Sequence, residues 1–196
     1  MIAVIKQGFT LIELLVTIMV VAIIAIVAIP KLISPNAEAQ AALVDATMAS
    51  FKTSLSQFNQ RWNIDNESTD PINFNNLETS VYPSSWGYPG SQRANVNRRD
   101  NMRQIDCETI WPLLIDTDFT IDTNNPNTDQ QINNRVNNGR ITQDVVSRRY
   151  NGSGGEPDWC QYTFVYQKPN CGQLAPRFLY YLDGKMEKLP DYVLQC

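Results

Sequence analysis

The sequence predicts an α+β protein: a long N-terminal helix in two halves, apolar throughout and then amphipathic, packed on a C-terminal antiparallel sheet. Three patterns predict it. From Phe9 to Ile29, 18 of 21 residues are apolar, with Thr10, Glu13 and Thr17 as the exceptions. From Ala37 to Trp62, apolar residues return every three or four positions, which marks one helical face. From Tyr162 to Leu189, aromatic and branched residues form short runs separated by turn residues, as in a strand meander.

Composition narrows the function. The 196 residues include no histidine and four cysteines, with 16 Lys+Arg against 20 Asp+Glu. Without histidine there is no Ser-His-Asp or Cys-His nucleophile, and the imidazole-bearing zinc sites are excluded. A formal charge of -4 and a pI near 4.8 argue against a nucleic-acid partner, which requires a basic face. The scattered Asp and Glu form no acid/base pair, so no enzyme and no cofactor are expected.

The first element, Phe9–Ile29, is long enough as a helix to reach roughly 32 Å, about the hydrocarbon thickness of a bilayer. One membrane-spanning helix before an exported domain is the simplest reading. A cleaved secretory signal fits less well, because its apolar region is typically about 7–15 residues and ends at an Ala-x-Ala-like site. Here Ala22, Ala25 and Ala28 are spaced by three. A plain signal anchor leaves Glu13 unexplained, since a carboxylate within an apolar run is costly in lipid and marks a candidate site. Lys6 and Lys31 flank the run and orient it only weakly.

Around this segment stand Lys6-Gln7-Gly8-Phe9-Thr10-Leu11-Ile12-Glu13-Leu14-Leu15. They resemble the processing motif of the type IV pilins and the related pseudopilins: a short charged leader ending in Gly, then Phe, then Glu at the fifth position, then an apolar helix. The resemblance covers about the first thirty residues. It implies that residues 1–8 are a leader, that a prepilin peptidase cuts between Gly8 and Phe9, and that the new Phe9 amine is methylated. It also implies that Glu13 attracts the charged N-terminus of a neighbouring subunit. The implied partners are other pilin subunits, the peptidase, an inner-membrane assembly platform, and membrane lipid before assembly. The chain would then be a single-pass inner-membrane protein first and a surface pilus subunit afterwards, supporting adhesion or motility. A type II secretion pseudopilin and a membrane-anchored periplasmic binding protein are the alternatives. Pro30 stands where many of these proteins bend the helix.

The amphipathic half follows. Ala37, Ala41, Val44, Met48, Phe51, Leu55, Phe58 and Trp62 form its stripe, predicting a helix over 36–62 that covers the sheet. Pro30 removes a helical hydrogen bond, and Ser34-Pro35 reads as an N-cap followed by a first-turn proline. A bend or break is therefore expected within Pro30–Pro35.

Residues 63–159 read as a long loop region with short structured pieces. In it, Trp86-Gly87-Tyr88-Pro89 are expected to anchor the loop, a flat carbohydrate platform being the alternative. Cys107–Ile115 reads as a short helix interrupted or started near Pro112. Asp116, Asp118 and Asp122 raise the question of calcium, but the stretch lacks the glycine and terminal Glu of an EF-hand, so solvated loop acids and no metal are expected. Asn124–Asn138 reads as an exposed insertion.

The sheet is expected over 160–196, with strands at 162–166, 177–182 and 185–189 and a hairpin at Asp183-Gly184. An even cysteine count without Cys-x-x-Cys predicts two disulfides in an oxidising compartment. Of three connectivities, the meander favours Cys171–Cys196, because the returning chain reaches the end of the sheet that holds Cys171. That leaves Cys107–Cys160. Trp86–Pro89, Cys107 with Ile110-Trp111 and Leu113-Leu114, and Cys160–Phe164 also resemble, more loosely, pilins of the mannose-sensitive haemagglutinin type. The Asn-rich insertion and the pair Cys171 and Cys196 fall outside that pattern.

Overall fold

The computed structural model describes residues 11–33, 37–74, 81–92, 100–122, 126, 128–154, 156–165, 172 and 174–195. The chain divides into two compact units, Met1–Gln40 and Ala41–Cys196. The first holds helix α1 (Leu11–Ile33). Pro30 lies inside α1, which continues for three residues beyond it; the rest of the expected bend, 34–36, lies outside the described residues.

Helix α2 (Ala37–Ile64) matches the periodic stripe to within two residues. In the second unit its Val44, Phe51, Leu55 and Phe58 are buried, while Asp45, Lys52 and Gln57 stay exposed. The stripe works because a step of three or four residues returns to the same side of a 3.6-residue helix. The first buried side chain among the described residues is Val44.

The region expected to be mainly loop, 63–159, is a correction. It contains helix α3 (Gln104–Leu114), strand β1 (Ile121–Asp122), helix α4 (Asp129–Asn137) and strand β2 (Val145–Tyr150). The meander continues with β3 (Trp159–Phe164), β4 (Leu174–Tyr181) and β5 (Met186–Val193). The sheet runs β1-β2-β3-β4-β5, antiparallel except for the β1–β2 pair, and begins at 121 rather than 160. Pro112 neither starts nor interrupts α3. It sits in the last turn, where its missing N–H costs one bond to Glu108 just before the helix ends.

Successive strand residues point to opposite faces, and both faces are used. On one, Tyr162, Phe164, Phe178 and Tyr180 meet Phe51 of α2 and Trp111 of α3 in a single core. The ring centroids of Phe51 lie 5.4–5.6 Å from those of Tyr162, Phe178 and Tyr180, within aromatic contact range. On the other face, Ile132 and Val136 of α4 pack on Val146, Val165, Ala175 and Leu194. The Asn-rich stretch is therefore not simply an exposed insertion. Ile132 and Val136, four apart, give α4 a buried side. Thr128 caps α4, its hydroxyl accepting from the Gln131 amide at 3.1 Å.

Beyond its short pairing with β1, the outer edge of β2 is closed by one side chain. The amide of Gln104 donates to the Ser147 carbonyl at 3.0 Å and accepts from the Arg149 N–H at 2.8 Å. A carboxamide carries the same donor and acceptor as a peptide group, so Gln104 takes the place of a neighbouring strand.

Candidate functional site

Gly8 and Phe9 lie outside the described residues. Glu13 lies in the first described turn of α1, where its side chain is exposed. Around it Leu11, Ile12, Leu14, Leu15, Val16, Ile18, Met19, Val20 and Val21 are each 48–82% exposed. These nearly consecutive positions circle the helix completely, so α1 is apolar all round over this stretch rather than amphipathic. The hydroxyl of Thr17 donates to the Leu14 carbonyl at 2.8 Å, so this polar group is satisfied within the helix. Among the described residues no helix is long and apolar enough to cross a membrane; the side chains described in α1 end at Ala22.

The domain places its candidate residues differently. Cys107 on α3 and Cys160 on β3 form a disulfide, with a Cα–Cα distance of 5.6 Å, fully buried in the core. Cys171 and Cys196 lie outside the described residues. Asp116 and Asp118 are exposed, but Asp122 is buried and forms an ion pair with Arg135 of α4. That corrects the reading of all three as solvated loop acids: Asp122 joins β1 to α4. Among the described residues no three His, Cys, Asp or Glu side chains gather as a metal ion would require.

The 81–92 loop is anchored. Its Ser84 hydroxyl donates to the Leu182 carbonyl at 2.8 Å, and the Tyr180 hydroxyl donates to Pro89 O at 2.7 Å. Tyr88 packs against the core and across Gly184, and Trp62 lies against Gly87. Gly87 has φ +77°, and a Cβ there would stand 2.0 Å from the Trp62 ring, so both backbone and space require glycine. Trp86 alone of this set projects outward, 42% exposed.

Two features of the domain escape a sequence reading. Asp106, 1% exposed, accepts from the Ser91 hydroxyl at 3.1 Å, from the Gln92 amide at 3.0 Å and from the Arg103 amide, pinning a loop to the start of α3. Asp158 likewise accepts from the Met102 and Gly152 amides at 2.9 and 2.8 Å. On α3, burial raises the Glu108 carboxyl above the ordinary value, a hydrogen bond from Gln104 opposes this, and nearby Asp122 adds to it. Burial also pushes the Tyr162 and Tyr180 hydroxyls well up; both donate to main-chain carbonyls, those of Cys107 and Pro89.

With this geometry in view, residues 5–29 match the family model described as the prokaryotic N-terminal methylation motif. The motif is typical of type IV prepilin-like proteins, substrates of prepilin peptidase that assemble with other subunits. It spans Gly8, Phe9 and Glu13 and ends one residue before Pro30. No curated protein and no solved structure matches the chain.

Proposed function

We propose that this chain is a structural subunit, major or minor, of a type IV pilus. Prepilin peptidase cuts between Gly8 and Phe9 and the Phe9 amine is methylated. Residues 9–29 anchor the chain in the inner membrane before the assembly platform draws it into a filament that serves surface adhesion or motility. The match of residues 5–29 to the methylation motif carries this reading. Support comes from α1, whose apolar side chains are exposed all round between Leu11 and Val21, a surface stable only against lipid or other helices. The side chain of Thr17 is hydrogen-bonded within the helix and adds little to the cost of such a transfer. The finer reading, a pilin of the mannose-sensitive haemagglutinin type, rests on Trp86–Pro89, Cys107–Leu114 and Cys160–Phe164.

In this reading no catalytic step falls to the domain. Glu13 offers its carboxylate to the methylated amine of the next subunit, since a carboxylate in low dielectric is tolerated when paired with a cation. Mass spectrometry of the mature protein tests the processing: a chain that starts at N-methylated Phe9 is expected, and one retaining Met1–Gly8 or cut after Ala28 defeats the reading. Glu13→Val should still be cut and inserted, yet yield at least tenfold less sheared filament; wild-type yield would remove Glu13 from assembly. Processed chain recovered only from the periplasmic side, never in surface filaments, would assign the pseudopilus instead.

A further inference from the structure

We infer that Asn151 is the site of a spontaneous covalent modification: its side chain closes on the Gly152 amide with loss of ammonia, and Asp158 is the base that starts the reaction. The sequence has two Asn-Gly pairs, Asn138-Gly139 and Asn151-Gly152. Asparagine is a thermally labile residue, and a following glycine leaves the attacking nitrogen unshielded by a side chain. Composition alone would make the two pairs equal. The fold does not.

Asn138 closes the C-terminal end of α4. Its Nδ2 donates to the Asn134 carbonyl at 2.7 Å, and the Gly139 N–H donates to the Val136 carbonyl at 3.0 Å. Both reacting groups are thereby engaged, and a main-chain carbonyl does not take up the proton that the amide must lose. Asn151 directly follows the last residue of β2, and its side chain is exposed, with no hydrogen bond among the described residues. Here the Gly152 N–H donates to a carboxylate, Asp158 Oδ1, at 2.8 Å, within the reach a general base requires.

Asp158 is held in place for this contact. It is buried, its Oδ2 accepts from the Met102 N–H at 2.9 Å, and the Arg149 guanidinium stands 3.8 Å from the same oxygen, which leaves Oδ1 to Gly152. Position 152 admits only glycine, because a Cβ there would collide with the Glu156 carbonyl oxygen. The packing that brings the amide to the carboxylate therefore also keeps its nitrogen bare.

Asp158 takes the amide proton, the Gly152 nitrogen bonds to Asn151 Cγ, and the Cγ–Nδ2 bond breaks. The proton passes to Nδ2, which leaves as ammonia. Water then opens the cyclic imide at either carbonyl, giving aspartate or isoaspartate at 151. Either product adds a negative charge to a loop that already carries Glu156 and Asp158. The isoaspartyl form also adds a carbon to the backbone ahead of Gly152. Because Asp158 ties both Gly152 and Met102, the change falls on the joint between this loop and the segment leading into α3.

The full chain, purified in detergent, is incubated at neutral pH in water labelled with heavy oxygen, and its peptides are mapped by mass spectrometry. Label is expected at 151, as aspartate and isoaspartate, at least tenfold faster than at 138. Equal rates, or 138 ahead, would overturn the inference. In denaturant the two pairs should converge, with Asn151 slowing and Asn138 accelerating. An Asn151 that reacts faster once unfolded would show that the fold protects it and would end the proposal. Asp158→Asn keeps an acceptor for the Gly152 N–H but supplies no base, so reaction at 151 should slow at least fivefold while 138 is unchanged. An unaltered rate at 151 in that variant, folded as judged by its melting and its Cys107–Cys160 bond, would remove Asp158 as the base. Should the variant not fold, the comparison in denaturant decides alone.

Discussion

Asp106 shows how much of this domain rests on single buried carboxylates. Its oxygens hold the Ser91 hydroxyl and the Gln92 and Arg103 amides, and the Arg103 guanidinium stands 3.6 Å away. Asp106→Ala would leave these donors unanswered in a closed site, a loss of about 2–4 kcal/mol. Denaturant unfolding checks this, with Ser91→Ala costing less because it removes one of the donors. Of the partners of Asp106 only Arg103 is near in sequence; the loop it holds is not legible locally, since Ser91 and Gln92 lie 15 and 14 residues away. Local patterns announce caps whose partners are close by, as with Thr128 and Gln131, where a Thr-x-x-Gln spacing was available to be read. The residues of the N-terminal motif are legible for the opposite reason. Gly8, Phe9 and Glu13 are contiguous and need no tertiary partner to be recognised.

At the scale of elements, what was legible follows length and regularity. The eight-position stripe of α2 and the hairpin at Asp183-Gly184 appear where their patterns place them, with Gly184 at φ +83°. β2 was hidden because Val145-Val146-Ser147-Arg148-Arg149-Tyr150 does not alternate. Its first three residues are buried whatever their face, since α3 covers one side and α4 the other. β1 has two residues, too few for a period. α4 was hidden by asparagines, three of its own (Asn133, Asn134 and Asn137) and three just before it (Asn124, Asn125 and Asn127). The junction of α3 with β1 also carries a pH response. Glu108 has a raised pKa in the fold, mainly through burial, so the native state holds its proton more tightly than the unfolded chain does. Stability should therefore fall as pH rises from the ordinary glutamate value through the raised one. Glu108→Gln removes the ionisation; thermal melts across that window should show a shallower decline and a variant at least as stable as wild type at neutral pH.

For the molecule as a whole, the apolar content divides between two tasks. Leu11–Val21 leave a helix exposed, whereas the domain builds aromatic packing on one face of its sheet and aliphatic packing on the other. The Cys107–Cys160 bond crosses the first of these, closing a separation of 53 residues between α3 and β3. Its removal by Cys107→Ser/Cys160→Ser should cost about 4 kcal/mol, read as a lowered denaturation midpoint. A loss under 1 kcal/mol would mean that the aromatic packing around it suffices.

Gln104 has a consequence for how the chain finds this arrangement. Among the described residues β1 and β2 share two rungs, Ile121 with Val145 and Asp122 with Val146, too few by themselves to define an alignment firmly. A slip of β2 by a single residue would turn Val145 away from the aromatic core and swing Arg148 into it. The amide of Gln104, fixed on a helix, meets both the Ser147 carbonyl and the Arg149 N–H in one frame and loses both after such a slip. Together with the six pairs that β2 makes with β3, it is a gauge against which the frame of the strand is fixed.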